Sequence, residues 1–165
     1  RLGKAVAILL YCGFFNLIGA MLIGAAFAYS WSFHSIDAQN FIVGLVQLKA
    51  LRGNGQILLE GILANIFVNV ATLAFLLIKD EAAKMWIIIS AIFMFVFLGE
   101  EHVVANFASF SIVKFTPVSS TLDFMNWFNL IRHWIVVFVG NTIGGGVIVG
   151  LAYSFLNKTK SIYHE

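Results

Sequence analysis

Three stretches of this chain, Ala5 to Ser30, Leu58 to Ile78 and Trp134 to Leu156, are almost purely apolar, with Glu60 the one charged residue among them. A helix rising 1.5 Å per residue needs about 20 residues to cross about 30 Å of hydrocarbon, and each stretch supplies them. A lipid-embedded backbone must satisfy its own N–H and C=O groups, which a helix does within one segment. Composition agrees: 61% of the 165 residues are hydrophobic and 11% charged, too little polar surface to wrap a soluble globule. The reading is an all-α integral membrane chain, lodged in a lipid bilayer.

A fourth region, Met85 to Val113, is long enough to cross but is interrupted near 99–102 by Gly99-Glu100-Glu101-His102. Each charge at that depth costs about 2.5 to 3.5 kcal/mol, so such groups persist where they line a polar cavity or serve transport. The two apolar pieces are each too short to span alone, which predicts a broken helix whose freed backbone groups are buried in protein or face water. A continuous helix with its acidic patch against a neighbour is the alternative.

The connectors carry the polar residues. Trp31 to Ile57 reads as a long excursion with His34, Asp37, Lys49 and Arg52, and Lys79 to Lys84 as a tight turn. Lys114 to His133 holds Pro117, then Ser119, Ser120, Thr121 and Asp123, where the last helix could be capped. Arg1, Lys4, Lys79, Lys84, Lys158 and Lys160 fall on one side of the membrane and Lys49, Arg52, Lys114 and Arg132 on the other, a slight bias that puts both ends in the cytoplasm. A net charge of +2 with no basic arm excludes a nucleic-acid partner. Cys12 stands alone in an apolar run, lipid-facing or packed. The chain opens on Arg1 with a run too long for a signal-peptide core, so upstream residues are expected.

The first and last runs echo each other. Asn16-Leu17-Ile18-Gly19 and Ile23 recur in register as Asn141-Thr142-Ile143-Gly144 and Ile148. Small residues that let helices approach closely explain the glycines; the asparagines ask for more. With two spans intervening, the first helix runs outward and the fourth inward, as an inverted repeat requires.

Gly99 to Asn106, Gly61-Ile62-Leu63-Ala64-Asn65 and Gly140 to Gly146 together resemble the signatures of the formate/nitrite transporter family, and the likeness covers essentially the whole chain. The resemblance implies an aquaporin-like fold of six spans with inverted halves, of which this chain supplies the third to sixth, in one channel domain over 1–165. It implies a homopentamer in the inner cell membrane, with a pore in each protomer. By the same resemblance His102 matches the pore histidine and Asn65 the asparagine beside it. Phe95 matches a constriction phenylalanine, Lys49 a vestibule lysine that attracts anions, and Glu101 the acid before the histidine. Asn16, Asn106 and Asn141 are further pore candidates. Glu100 departs from the pattern, since an aromatic residue usually stands there.

The chemistry can be argued separately. A small anion entering hydrocarbon loses hydration worth many kcal/mol, whereas its conjugate acid is neutral. Histidine, with a reference pKa near about 6.5, is the side chain best suited to donate or relay the proton, or it could stabilise the anion by hydrogen bonding. The substrates expected are formate, nitrite, hydrosulfide or lactate-like monocarboxylates, and the residues do not choose among them. No cofactor or metal is expected: Glu100 and Glu101 abut His102 without the helical spacing a metal site wants. No nucleophile elbow or phosphate loop points to an enzyme. A structural membrane subunit without flux is the competing class.

Overall fold

A computed structural model describes residues 2–158 as helices joined by short turns. They are α1 (Leu2–Ala28), α2 (Trp31–His34), α3 (Phe41–Ala50), α4 (Asn54–Leu77), α5 (Glu81–Phe97), α6 (Val103–Phe115), α7 (Trp127–Asn141) and α8 (Gly150–Lys158). Two 3₁₀ turns, Pro117–Thr121 and Asp123–Met125, precede α7, and a π-helical segment, Thr142–Val149, joins α7 to α8. Gly3–Ala28, Asn54–Leu77 and the continuous rod Trp127–Lys158 are long and apolar enough to cross a membrane. Arg1 and Lys160, counted in the charge bias, lie outside the described residues.

The described residues divide into two compact units, one of residues 2–54 and 103–135, the other of 55–102 and 136–158. In the first, α1 packs along α6, with Gly24 set so close that a Cβ there would overlap Ser111. Val43 and Val46 of α3 are fully buried, as are Phe110 and Val113 of α6 and Leu130 of α7. In the second, α4 meets the end of α7 and the π segment through small residues. A Cβ at Gly140 would overlap the Leu58 carbonyl oxygen, and one at Gly144 the Ile62 carbonyl oxygen. Backbone against backbone is the contact that only glycine permits here.

The chain stops being helical after Phe97 and resumes at Val103. Leu98 caps α5, and Gly99 turns left-handed at φ 69°, the sole positive φ among the described residues. Gly99 N–H donates to the Val96 carbonyl at 3.1 Å and Glu100 N–H to that of Phe95 at 3.1 Å. That pair of bonds is a Schellman cap, which ties off carbonyls that would otherwise be left bare at the end of α5.

Several boundaries differ from those read in the sequence. Trp31 to Ile57 is not an open excursion, because residues 41–50 form a helix with a buried face. Asn40 starts it by accepting a hydrogen bond from Ile42 N–H at 3.1 Å. The tight turn is shorter than Lys79 to Lys84, since Asp80 caps α5 by accepting from Ala83 N–H at 2.7 Å and places Lys84 on the helix. The last helix begins at Trp127, seven residues before the apolar run at Trp134. Its cap is Asn126, which accepts from Asn129 N–H at 2.9 Å. Ser120 and Thr121 instead donate back to the Pro117 and Val118 carbonyls of their own turn. His133 is therefore not a connector residue but a fully buried side chain of α7.

Candidate functional site

Five of the residues singled out in the sequence lie in the second unit: Asn65, Phe95, Glu101, His102 and Asn141. His102 ends the interruption and is half-buried. The Phe95 ring, one α5 residue inside the Schellman cap, lies 5.8 Å from the imidazole, centroid to centroid, at a tilt of 49°. That separation is within the range of an aromatic contact, so the break folds the imidazole onto an apolar ring. Glu101 is fully buried.

Asn141 is buried and holds the interruption to α4. Its Nδ2 donates to the Glu101 carbonyl and to the Gly61 carbonyl, each at 2.8 Å. Both N–H bonds of one amide thus engage backbone oxygens from different segments. The Glu101 carbonyl belongs to the non-helical stretch, so a protein group answers there the need that a break in a lipid-embedded helix creates. Gly61 has no side chain in the way: a Cβ there would press on Asn141 Nδ2 and the Val137 carbonyl.

One turn along α4, Asn65 forms a pair that sequence reasoning missed. Asn69 Nδ2 donates to the Asn65 carbonyl at 2.8 Å and to Asn65 Oδ1 at 2.9 Å. A spacing of four residues on a helix was the signal available. Gly145 of the π segment lies against both amides, and a Cβ there would collide with Asn69 Nδ2. π-helical turns recur at functional sites, where they widen a helix locally.

The other three residues lie in the first unit. Lys49 is on α3 rather than in a loop and is buried. Asn106 is buried, its Nδ2 3.2 Å from Nε2 of His133. Phe110 stacks on His133 with centroids 4.8 Å apart. His133 is the second residue that the sequence did not flag. Asn16 is exposed and its amide donates at 2.7 Å to the Cys12 carbonyl of its own helix. Arg132 ties α7 to the end of α3 by donating to the Ala50 carbonyl at 3.0 Å and to the Asn54 side chain.

Three apolar helices of membrane-crossing length among the described residues, together with a capped break between α5 and α6 that carries two carboxylates and an imidazole, define a polytopic membrane protein of the transporter or channel class. The family is set by comparison with known proteins. The model of the family described as "Formate/nitrite transporter" matches residues 1–155, and the chain belongs to that family. Its all-α fold is that of a solved "FNT family ion channel", with a TM-score of 0.81 and 26% identity over 93% of this chain and 60% of that one. The formate channel BtFdhC of Bacillus thuringiensis is 31% identical over 85% of this chain and 52% of its own length. The uncharacterized transporter YwcJ of Bacillus subtilis is 29% identical over 86% and 54%. The chain spans about half the length of these curated relatives. The family is one of transporters and channels, not of enzymes.

Proposed function

We propose that this protein carries small monovalent anions, or their weak acids, across the cell membrane, with formate and nitrite as the leading substrates. The family match over residues 1–155 carries this reading. The chemistry at the break fits it. An anion stripped of water is costly, its conjugate acid is not, and an imidazole is the side chain suited to mediate between the two near neutral pH. His102 is the group proposed to assist proton passage or to hydrogen-bond the anion, with Phe95 beside it as part of a dry constriction. Glu101 and Asn141 hold the break open in its non-helical form. Asn65 offers amide donors to the solute.

Lys49 is proposed to concentrate anions, Asn106 to add a further polar contact, and Asn16 to line the path. The same reading has one channel domain over 1–165, spans near 5–30, 58–78, 85–113 and 134–156, and inverted halves. It has a homopentamer in the inner cell membrane and both ends of the full protein in the cytoplasm.

Reconstituted in proteoliposomes, the wild-type protein is expected to take up formate and nitrite faster as external pH is lowered. Replacing His102 by Phe or Asn is expected to cut flux at least about tenfold and flatten the pH response. Unchanged flux and pH response in both variants would remove His102 from the mechanism. No flux of any small anion in the wild type would favour a structural subunit.

A further inference from the structure

Asparagine amides present either an acceptor or donors, depending on which way round they sit, and a backbone carbonyl settles the matter because it can only accept. Asn69 approaches the Asn65 backbone carbonyl at 2.8 Å, so the Asn69 atom placed there is its NH₂ nitrogen. The same nitrogen lies 2.9 Å from the Asn65 side chain. Two NH₂ groups cannot hydrogen-bond each other as donors, so the facing Asn65 atom is its oxygen. The orientation of both amides follows from one fixed acceptor. The Asn65 oxygen is engaged by Asn69, and its nitrogen, carrying two N–H bonds, has no acceptor among the described residues. Asn65 is half-buried and thus still reachable.

We infer that Asn69 is a positioning residue that turns Asn65 donor-side out, making this point of α4 select for an acceptor-only solute such as a carboxylate or nitrite. With the amide reversed, Asn65 would present its carbonyl oxygen to the same solute and repel it. Gly145 is part of the device. A side chain at that place in the π segment would strike Asn69 Nδ2 and press on Asn65 Oδ1, separating the pair. The inference rests on the transport reading above and names within it what sets the sign of the Asn65 contact.

A double-mutant cycle on formate uptake in proteoliposomes tests it, with flux expressed per folded protein. Asn69→Leu keeps the bulk and removes the donor; it is expected to lower uptake at subsaturating formate about tenfold, chiefly by raising the half-saturating concentration. In an Asn65→Leu background, adding Asn69→Leu is expected to change uptake less than about twofold, because Asn69 acts only through Asn65. Asn69→Asp, which accepts but does not donate when ionised, is expected to reverse the Asn65 amide and fall below Asn69→Leu. Wild-type uptake by Asn69→Leu overturns the orientation inference and leaves the transport reading standing, as do equal losses from Asn69→Leu in the two backgrounds. Absence of formate uptake by the wild-type protein overturns the transport reading itself.

Discussion

Asn16 in α1 and Asn141 at the end of α7 open nearly the same string of residues, yet the two asparagines do different work. Asn16 is exposed and folds its amide back on the carbonyl four residues earlier, the local bond an amide makes when no other acceptor is offered. Asn141 is buried and holds two carbonyls from other segments. The glycines behave likewise. A Cβ at Gly19 would meet no described atom within 4 Å, whereas one at Gly144 would run into the Ile62 backbone. The string permits close approach but does not cause it. What sets Asn141 apart is the pair of acceptors supplied by the helix break and by α4.

The sharpest way to break that contrast is to fill the two glycines. Gly144→Val is expected to destabilise the protein by about 3 kcal/mol or prevent folding, since the obstruction is backbone and cannot rotate away. Gly19→Ala is expected to leave detergent unfolding midpoints unchanged or slightly raised, a gain of up to about 1 kcal/mol from helix propensity. A large loss at Gly19 would show that α1 meets a neighbour as close as the one α7 meets.

Exchanging the amides comes next. Asn141→Leu removes two buried hydrogen bonds, to the Gly61 and Glu101 carbonyls, that tie separate segments together, and about 2 kcal/mol of stability should go with them. Asn16→Leu should cost less than about 0.5 kcal/mol, because the backbone carbonyl it leaves already serves its own helix. Equal losses at the two sites would contradict the account of what Asn141 does.

The interruption itself yields smaller effects. Gly99→Ala forces a side chain into left-handed backbone, an expected loss of about 1 kcal/mol with the Schellman bonds strained. Removing the Asn126 cap with Ala should cost about 1 kcal/mol as well, whereas Ser120→Ala should cost next to nothing. A larger effect at Ser120 would return the cap of α7 to the serine and threonine cluster.

How much of this could be read beforehand follows from which forces are local. The break was legible because charged residues and a glycine in an apolar run violate the rule that makes the rest of the run a span. The apolar runs were legible by length alone. Phe41–Ala50 was not, since ten residues that include Gln47 and Lys49 are too few to span and are flanked by Asp37 and Arg52, which made the stretch look solvated. Burial of Lys49 and His133 depends on α6 and α7 packing beside them, a tertiary fact without a sequence signature. The π segment, whose Gly144 and Gly145 lie against α4, was equally silent. Even the charge bias changes meaning in the fold. Lys114 donates to the Met125 carbonyl at 2.6 Å and lies over the Trp127 ring, and Arg132 is tied to Ala50, so these cations serve the fold as well as any membrane potential.

The central claim is that the residue closing the interruption faces a wet passage used by small anions. Cysteine accessibility at that position tests it most directly: His102→Cys in a background with Cys12→Ser and no other cysteine, exposed in proteoliposomes to a small charged thiol reagent with and without formate. The account predicts rapid modification that formate slows. A thiol that stays unmodified in folded protein, yet reacts fully once the protein is denatured, would contradict it.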